Sequence, residues 1–183
     1  MILSEETTVP TAALPVAEFR DHLRLGTGFA DVGAGDAALE AYLRAALAAI
    51  EGRTAKALLE RDFLLTLEAW RADDAQPLPV APVSALGEVR LRDVAGSLVT
   101  VDPARYRLVR DMSRPRLEGV GGSLPSVPVS GSVEIGFMAG FGAAWNDLPV
   151  DLAQAVFLLA AQYYELRHEG MGQAQAIPFG VMA

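Results

Sequence analysis

The spacing of apolar positions changes twice along this chain of 183 residues, from helical to alternating and back to helical. Residues 1–13 mix Ser, Thr, Glu and Pro without periodicity and predict an extended arm. Pro15 stands where a first helical residue is well tolerated, and Val16, Phe19 and Leu23 follow at helical spacing, which predicts a short helix ending near Gly26. The stretch TGFADVGAG reads as a loop, after which Asp36 is placed to cap a second helix. Leu39, Tyr42, Leu43, Ala46, Leu47 and Ile50 make one apolar stripe on that helix, with Glu40 and Arg44 as an i,i+4 pair outside it.

From Asp62 the rhythm is that of half-buried strands. Phe63, Leu65 and Leu67 alternate with more polar neighbours, as do Val89 and Leu91, and Val127, Val129, Val133, Ile135 and Phe137 continue the pattern. QPLPVAPVS is extended by its prolines, DVAGS predicts a hairpin turn before LVTV, and YRLV predicts a further short strand. Residues 62–138 therefore read as an antiparallel β module, with the connections 71–77 and 111–128 expected to be mobile in the free subunit. After AGFGAAWND, Pro149 marks a helix in which Leu152, Val156, Phe157, Leu159, Ala160 and Tyr164 cover one side, while Ala153, Ala155, Leu158 and Ala161 make the other nearly as apolar. Such a helix is expected to be buried on all sides, by its own domain and by a neighbouring subunit. The expected fold is α+β, a single subunit with a small helical core of three main helices (14–61 and 148–169), an inserted antiparallel β module (62–138) and an extended C-terminal arm (170–183).

Composition narrows the chemistry. Apolar residues make up 51% of the chain, enough for a core, yet Gln154 and Gln162 interrupt the longest apolar run well short of a membrane span. The N-terminus has no basic region ahead of an apolar one, so no signal peptide is read and a soluble, non-exported protein is expected. Absence of cysteine removes disulfides and thiolate chemistry, and with His22 and His168 as the only histidines no metal site or cofactor is expected. A formal charge of −8 argues against gripping nucleic acid through its phosphates, although an acidic surface suits a passage through which DNA slides. Fourteen of the fifteen basic residues are Arg, with Lys56 alone, a coding bias that says little about function.

Three groups of residues invite a chemical reading. Tyr163, Tyr164, Glu165, Arg167, His168 and Glu169 crowd the end of the last helix, but no Ser or Cys nucleophile is near them in sequence. Cations at a helix C-terminus oppose the negative end of the macrodipole, so packing and capping are preferred to catalysis. GVGGS at 119–123 matches neither the dinucleotide nor the phosphate-loop pattern and reads as a glycine turn, and Asp73 and Asp74 read as a solvated loop. Arg105, Arg107, Arg110, Arg114 and Arg116 are the one basic concentration, with Arg105 and Arg107 sent to the same side by strand alternation. They are either an interaction patch for DNA or an acidic partner, or ordinary exposed positions.

Three stretches in order, AALEAYLRAALAAIEGRTAKALLE, LPVAPVSALGEVRLRDVAGSLVTVDPARYRLV and AGFGAAWNDLPVDLAQAVFLLAAQYYELR, resemble the phage head–tail connector (adaptor) family, including the adaptors of gene transfer agents. The resemblance is carried by Ile50-Glu51 and the basic segment after it, Leu78 to Val83, the turn Asp93 to Gly96, the loop Ala139 to Gly142, Pro149, and Tyr164 to Arg167. It covers residues 14–168 and implies a non-enzymatic ring subunit, typically of twelve copies, made in the bacterial cytoplasm and seated in the particle neck under the portal protein. A stopper or tail-terminator protein would lie on its other side, and DNA would pass through the channel without sequence-specific binding. Within that frame the tail is expected to be a portal-binding arm anchored by Ile177, Phe179, Val181 and Met182. The alternatives are a small hydrolase using Glu165 and His168, or a stand-alone domain that binds a peptide at a β edge.

Overall fold

The N-terminal residues Ile2–Glu5 are a strand, β1, and not an unpaired arm: they pair antiparallel with β2 (Arg61–Leu67), Ile2 opposite Thr66 through Glu5 opposite Phe63. The computed structural model describes residues 1–25 and 34–168, in which contacts gather into two units, Met1–Val9 with Ala55–Ala143 and Pro10–Thr54 with Ala144–Ala183. The loop expected around 26–33 and the arm expected at 170–183 lie outside the described residues. Helices and antiparallel sheets give an α+β fold. Among the described residues no helix is long and apolar enough to cross a membrane.

The first unit is built on two sheets. β3 (Ala75–Pro77), β6 (Tyr106–Val109) and β7 (Arg116–Gly119) form one, in the order β3-β7-β6. β4 (Val83–Arg92), β5 (Leu98–Thr100) and β8 (Ser132–Ala139) join the first two strands in the other, in the order β1-β2-β8-β4-β5. The alternation read from sequence decides the core face: Phe63, Leu65 and Leu67 are buried, as are Val89, Val133, Ile135 and Phe137, and the rings of Phe63 and Phe137 stack at 5.6 Å. Each such side chain contributes about 1.5–3 kcal/mol by leaving water. On the opposite face Glu134 is buried beneath Arg90 at 2.9 Å and Arg92 at 2.5 Å, the pairing that a buried carboxylate requires.

Local chemistry explains the junctions. The DVAGS turn forms as expected: Gly96 takes φ +86°, its N–H donates to the Asp93 carbonyl, and the Ser97 N–H donates to the Asp93 carboxylate at 2.8 Å. The AGFG loop is a backbone brace in which Gly140 N–H donates to Pro82 O, Phe141 N–H to Leu58 O, and Glu60 N–H to Gly142 O. Residues 55–61, expected with the helices, belong to this unit because Ala57 joins its core and donates its N–H to the Ala81 carbonyl, while the Ala81 N–H donates to the Ala55 carbonyl. The Ala81–Pro82 peptide bond is cis.

Two further expectations are corrected here. The alternation does not reach back to Val127 and Val129, since Pro128 lacks an N–H and Ser130 (φ +56°) and Gly131 make a turn, leaving Val129 92% exposed. The connections 71–77 and 111–128 contain strands β3 and β7, with Gln76, Pro115, Leu117 and Leu124 buried, so they are not wholly loose loops. Asp73 and Asp74 are exposed in a loop, as expected, and their backbone carbonyls accept from the amides of Leu124 and Gly119.

The second unit holds α1 (Val16–His22), α2 (Ala34–Thr54) and α3 (Val150–Glu165). Leu39, Leu43, Ala46, Leu47 and Ile50 bury the expected stripe of α2, which packs on α3, while Arg44 pairs with Glu40 at 2.8 Å. Asp36 is not the cap: the helix starts before it, and its carboxylate pairs instead with Arg20 of α1. Phe157 of α3 lies against Phe19 (5.7 Å), His22 (5.4 Å) and Trp145 (5.3 Å), which pins α1 and the turn Trp145–Asp147 to the helix. Expected burial of α3 on every side is not realised within the chain. Val156, Leu159 and Ala160 are buried, but Val150 is 85% and Leu158 46% exposed.

Candidate assembly surfaces

In the β6–β7 hairpin the register sets Arg107 opposite Glu118 and Val109 opposite Arg116, so these four share one face, while Tyr106, Leu108 and Leu117 occupy the other. Glu118 accepts from Arg107 at 2.8 Å and from Arg116 at 2.7 Å, and these two guanidinium groups, Arg107 first, hold its carboxyl below the usual glutamate range. The turn beyond is closed by Asp111, whose carboxylate accepts from the amides of Ser113 and Arg114, and those hydrogen bonds hold it below the usual aspartate range. Arg110 donates to the Ser84 carbonyl at 2.9 Å, and Arg114 is exposed. Lys56 joins the cluster from the segment after α2, donating to the Met112 carbonyl at 2.5 Å and to Ser113 Oγ at 3.3 Å.

Arg105 does not fit the expected alignment with Arg107. It ends a 3-10 turn, Pro103–Arg105, capped by Asp102 accepting from the Ala104 amide, and strand alternation does not apply there. Residues 105–118 thus carry five arginines against two carboxylates, both already engaged, and leave a basic face on an acidic protein. Lys56 was not readable as part of this face, since only the fold brings it across 56 positions to Met112.

The margins of the five-stranded sheet are a second surface that sequence reading missed. Glu6 N–H donates to Asp62 O at 2.8 Å, so by alternation Ser4 and Ile2 also face β2 and the backbone groups of Leu3 and Glu5 point outward. At the opposite margin Val101 N–H donates to Val89 O at 2.8 Å, so Val99 faces β4 and Leu98 and Thr100 point outward. Side chains along both margins are apolar and wet: Met1, Ile2 and Leu3 on one, Leu98 and Val99 on the other. A four-residue strand without clear alternation gives no sequence signal.

At the end of α3, Tyr164 and Arg167 make packing contacts. Tyr164 meets Tyr42 of α2 edge-on at 5.9 Å, and Arg167 lies over the Tyr164 ring at 3.6 Å while donating to the Tyr164 carbonyl. Glu165 is exposed, and the His168 side chain lies outside the described residues, as do Glu169 and the expected anchors Ile177, Phe179, Val181 and Met182. Among the described residues no cluster of His, Asp and Glu is placed to hold a metal ion. Gly119, Gly121 and Gly122 turn the chain out of β7, the last two at positive φ, as glycine in a loop permits.

No protein-family model matches the chain, and no curated protein sequence does. Solved structures match it along its whole length. A chain in the neck of an empty gene transfer agent (GTA) particle, computed with C6 symmetry, is 66% identical with a TM-score of 0.90, covering 100% of this chain and 92% of its own. A chain in the virion of a native GTA particle is 66% identical with a TM-score of 0.87, over 100% and 92%. A chain in the neck of a native GTA particle, computed with C12 symmetry, is 60% identical with a TM-score of 0.85, over 100% and 91%. With identity at this level across the complete fold, the chain belongs to the head–tail connector (adaptor) family found in the necks of gene transfer agent particles.

Proposed function

We propose that this protein is a structural, non-enzymatic subunit of the neck of a gene transfer agent or phage-like particle. The observation that carries the reading is 66% identity, over the whole chain, to a chain in the neck of an empty GTA particle. The C6 and C12 symmetries of those necks support a homo-oligomeric ring of twelve copies here. In this reading the subunit is made in the bacterial cytoplasm, and its ring sits between the portal protein and a stopper or tail-terminator protein, with DNA passing through the channel. The segment 170–183 is the portal-binding arm, with Ile177, Phe179, Val181 and Met182 as its apolar anchors. Arg105, Arg107, Arg110, Arg114 and Arg116 offer a basic face for an acidic neighbour in the neck, and the engagement of Glu118 and Asp111 within the hairpin supports that role.

The test is removal of the chain from a particle-producing cell. Filled or unfilled heads and separate tails should accumulate, joined particles should be lost, and re-expression should restore them. Joined, infectious-type particles of normal appearance in electron micrographs of the deletion strain would sink the proposal.

A further inference from the structure

We propose that the two margins of the five-stranded sheet join neighbouring copies, the outward edge of β5 in one subunit adding to the outward edge of β1 in the next, so that the sheet continues from copy to copy. The proposal rests on the ring reading above and names the contact that would hold it.

A strand at a sheet margin is a template for another strand, and folded proteins usually blunt it by short length, charged side chains, Pro, a bulge or a cover. Both margins are short, four residues in β1 and three in β5, and Glu5 is charged, but neither carries a Lys, a Pro or a bulge. MILSE and LVT contain no Lys, Arg or Pro. The β1–β2 and β4–β5 registers run without interruption, whereas the irregularities of this sheet fall between β4 and β8. Side chains at both margins are exposed and apolar, with Ile2 at 66% and Val99 at 64%. Each margin presents the same short ladder: Leu3 and Glu5 on one, Leu98 and Thr100 on the other, and among the described residues no backbone hydrogen bond reaches their outward groups.

Topology then selects which margins meet. Every neighbouring pair in the order β1-β2-β8-β4-β5 is antiparallel, so β1 and β5 run in the same direction. Two β1 margins meeting would give a two-fold dimer that stops growing. β5 against the next copy's β1 is a heterologous contact, repeats at every subunit, and closes into a ring. Rotation about an axis along the strands preserves their direction, so the new pairs are parallel. The cyclic symmetry of the related necks requires a heterologous contact of this kind.

The chain has no cysteine, which makes a cross-linking test clean. Leu3→Cys is combined in one chain with Leu98→Cys, Val99→Cys or Thr100→Cys in turn, and purified particles are oxidised. At least one combination should give a covalent ladder extending beyond the dimer, while each single variant stays monomeric. Thr100→Pro removes an outward N–H and leaves the Leu91–Val99 and Val89–Val101 pairing in place, so circular dichroism should be unchanged while ring formation falls about tenfold. Absence of a ladder from all three combinations, in particles whose neck ring is intact by electron microscopy, overturns the edge contact and leaves the neck reading standing. Dimers from Leu3→Cys alone, or wild-type assembly of Thr100→Pro, also overturn it. Failure of the neck reading itself would show differently, as the absence of this chain from the necks of wild-type particles.

Discussion

Gly140 is a position at which this fold has no room for a side chain. Its φ is +145°, and a Cβ built there would lie 2.3 Å from Glu60 Cα, so a side chain meets backbone on both conformational and steric grounds. Its own amide also carries the bond to Pro82 that ties the loop to the start of β4. Gly140→Ala should destabilise the protein by about 2–4 kcal/mol in urea unfolding. Gly52, exposed near the end of α2 with nothing within 4 Å of a built Cβ, is the matched control: Gly52→Ala should leave stability unchanged or raise it by about 0.5–1 kcal/mol. Equal effects at the two positions would show that the AGFG brace is not rigid. The sequence displays the two glycines of this loop, but not the strand entry at Leu59 and Glu60 that makes one of them obligatory.

At the scale of elements, periodicity located the helices well and misjudged their surroundings. The stripe from Leu39 to Ile50 is buried as its spacing requires, and Leu47 is 5% exposed. Leu47→Ala should therefore cost about 2–5 kcal/mol, whereas Leu158→Ala, on the exposed side of α3, should cost under about 1 kcal/mol in the isolated subunit. A small loss at Leu47 would mean that α2 and α3 do not form the core of the helical unit. Asp36 shows the limit of local rules. Its position suits a cap, yet Arg20 on another helix claims the carboxylate, and a helix can begin earlier when a tertiary partner is available. In the same way Arg105 and Arg107 look like strand alternates until the Asp102 cap turns the first of them into a 3-10 residue.

For the whole molecule the decisive features concern copies and partners. Exposed Val150 and Leu158, the wet sheet margins and the basic hairpin are tolerable on a subunit that spends its working life in an assembly. The proposed arm belongs to this scale too: its sequence carries Gly170 and Gly172 ahead of Ile177, Phe179 and Val181 at alternate positions, a spacing that suits addition to a partner's sheet edge. Deleting residues 172–183 should leave circular dichroism and thermal unfolding unchanged, while attachment to portal-bearing capsids is lost in a sedimentation assay. Normal attachment by the truncated chain would move the portal contact elsewhere.

What the sequence determined by itself was whatever depends on neighbours a few positions apart. The stripe of α2, the alternation of Phe63, Leu65 and Leu67, the Asp93–Gly96 turn and the Pro149 helix start follow from local geometry, and their ordered motifs carried the family resemblance. Tertiary structure alone decided the pairing of Ile2–Glu5 with β2, the burial of Glu134 under Arg90 and Arg92, the arrival of Lys56 at the arginine turn, and the company of Ala57 with Ala81. Each of these joins groups tens of residues apart. Burial and hydrogen bonding there depend on where two distant segments meet, and no window along the chain contains both partners.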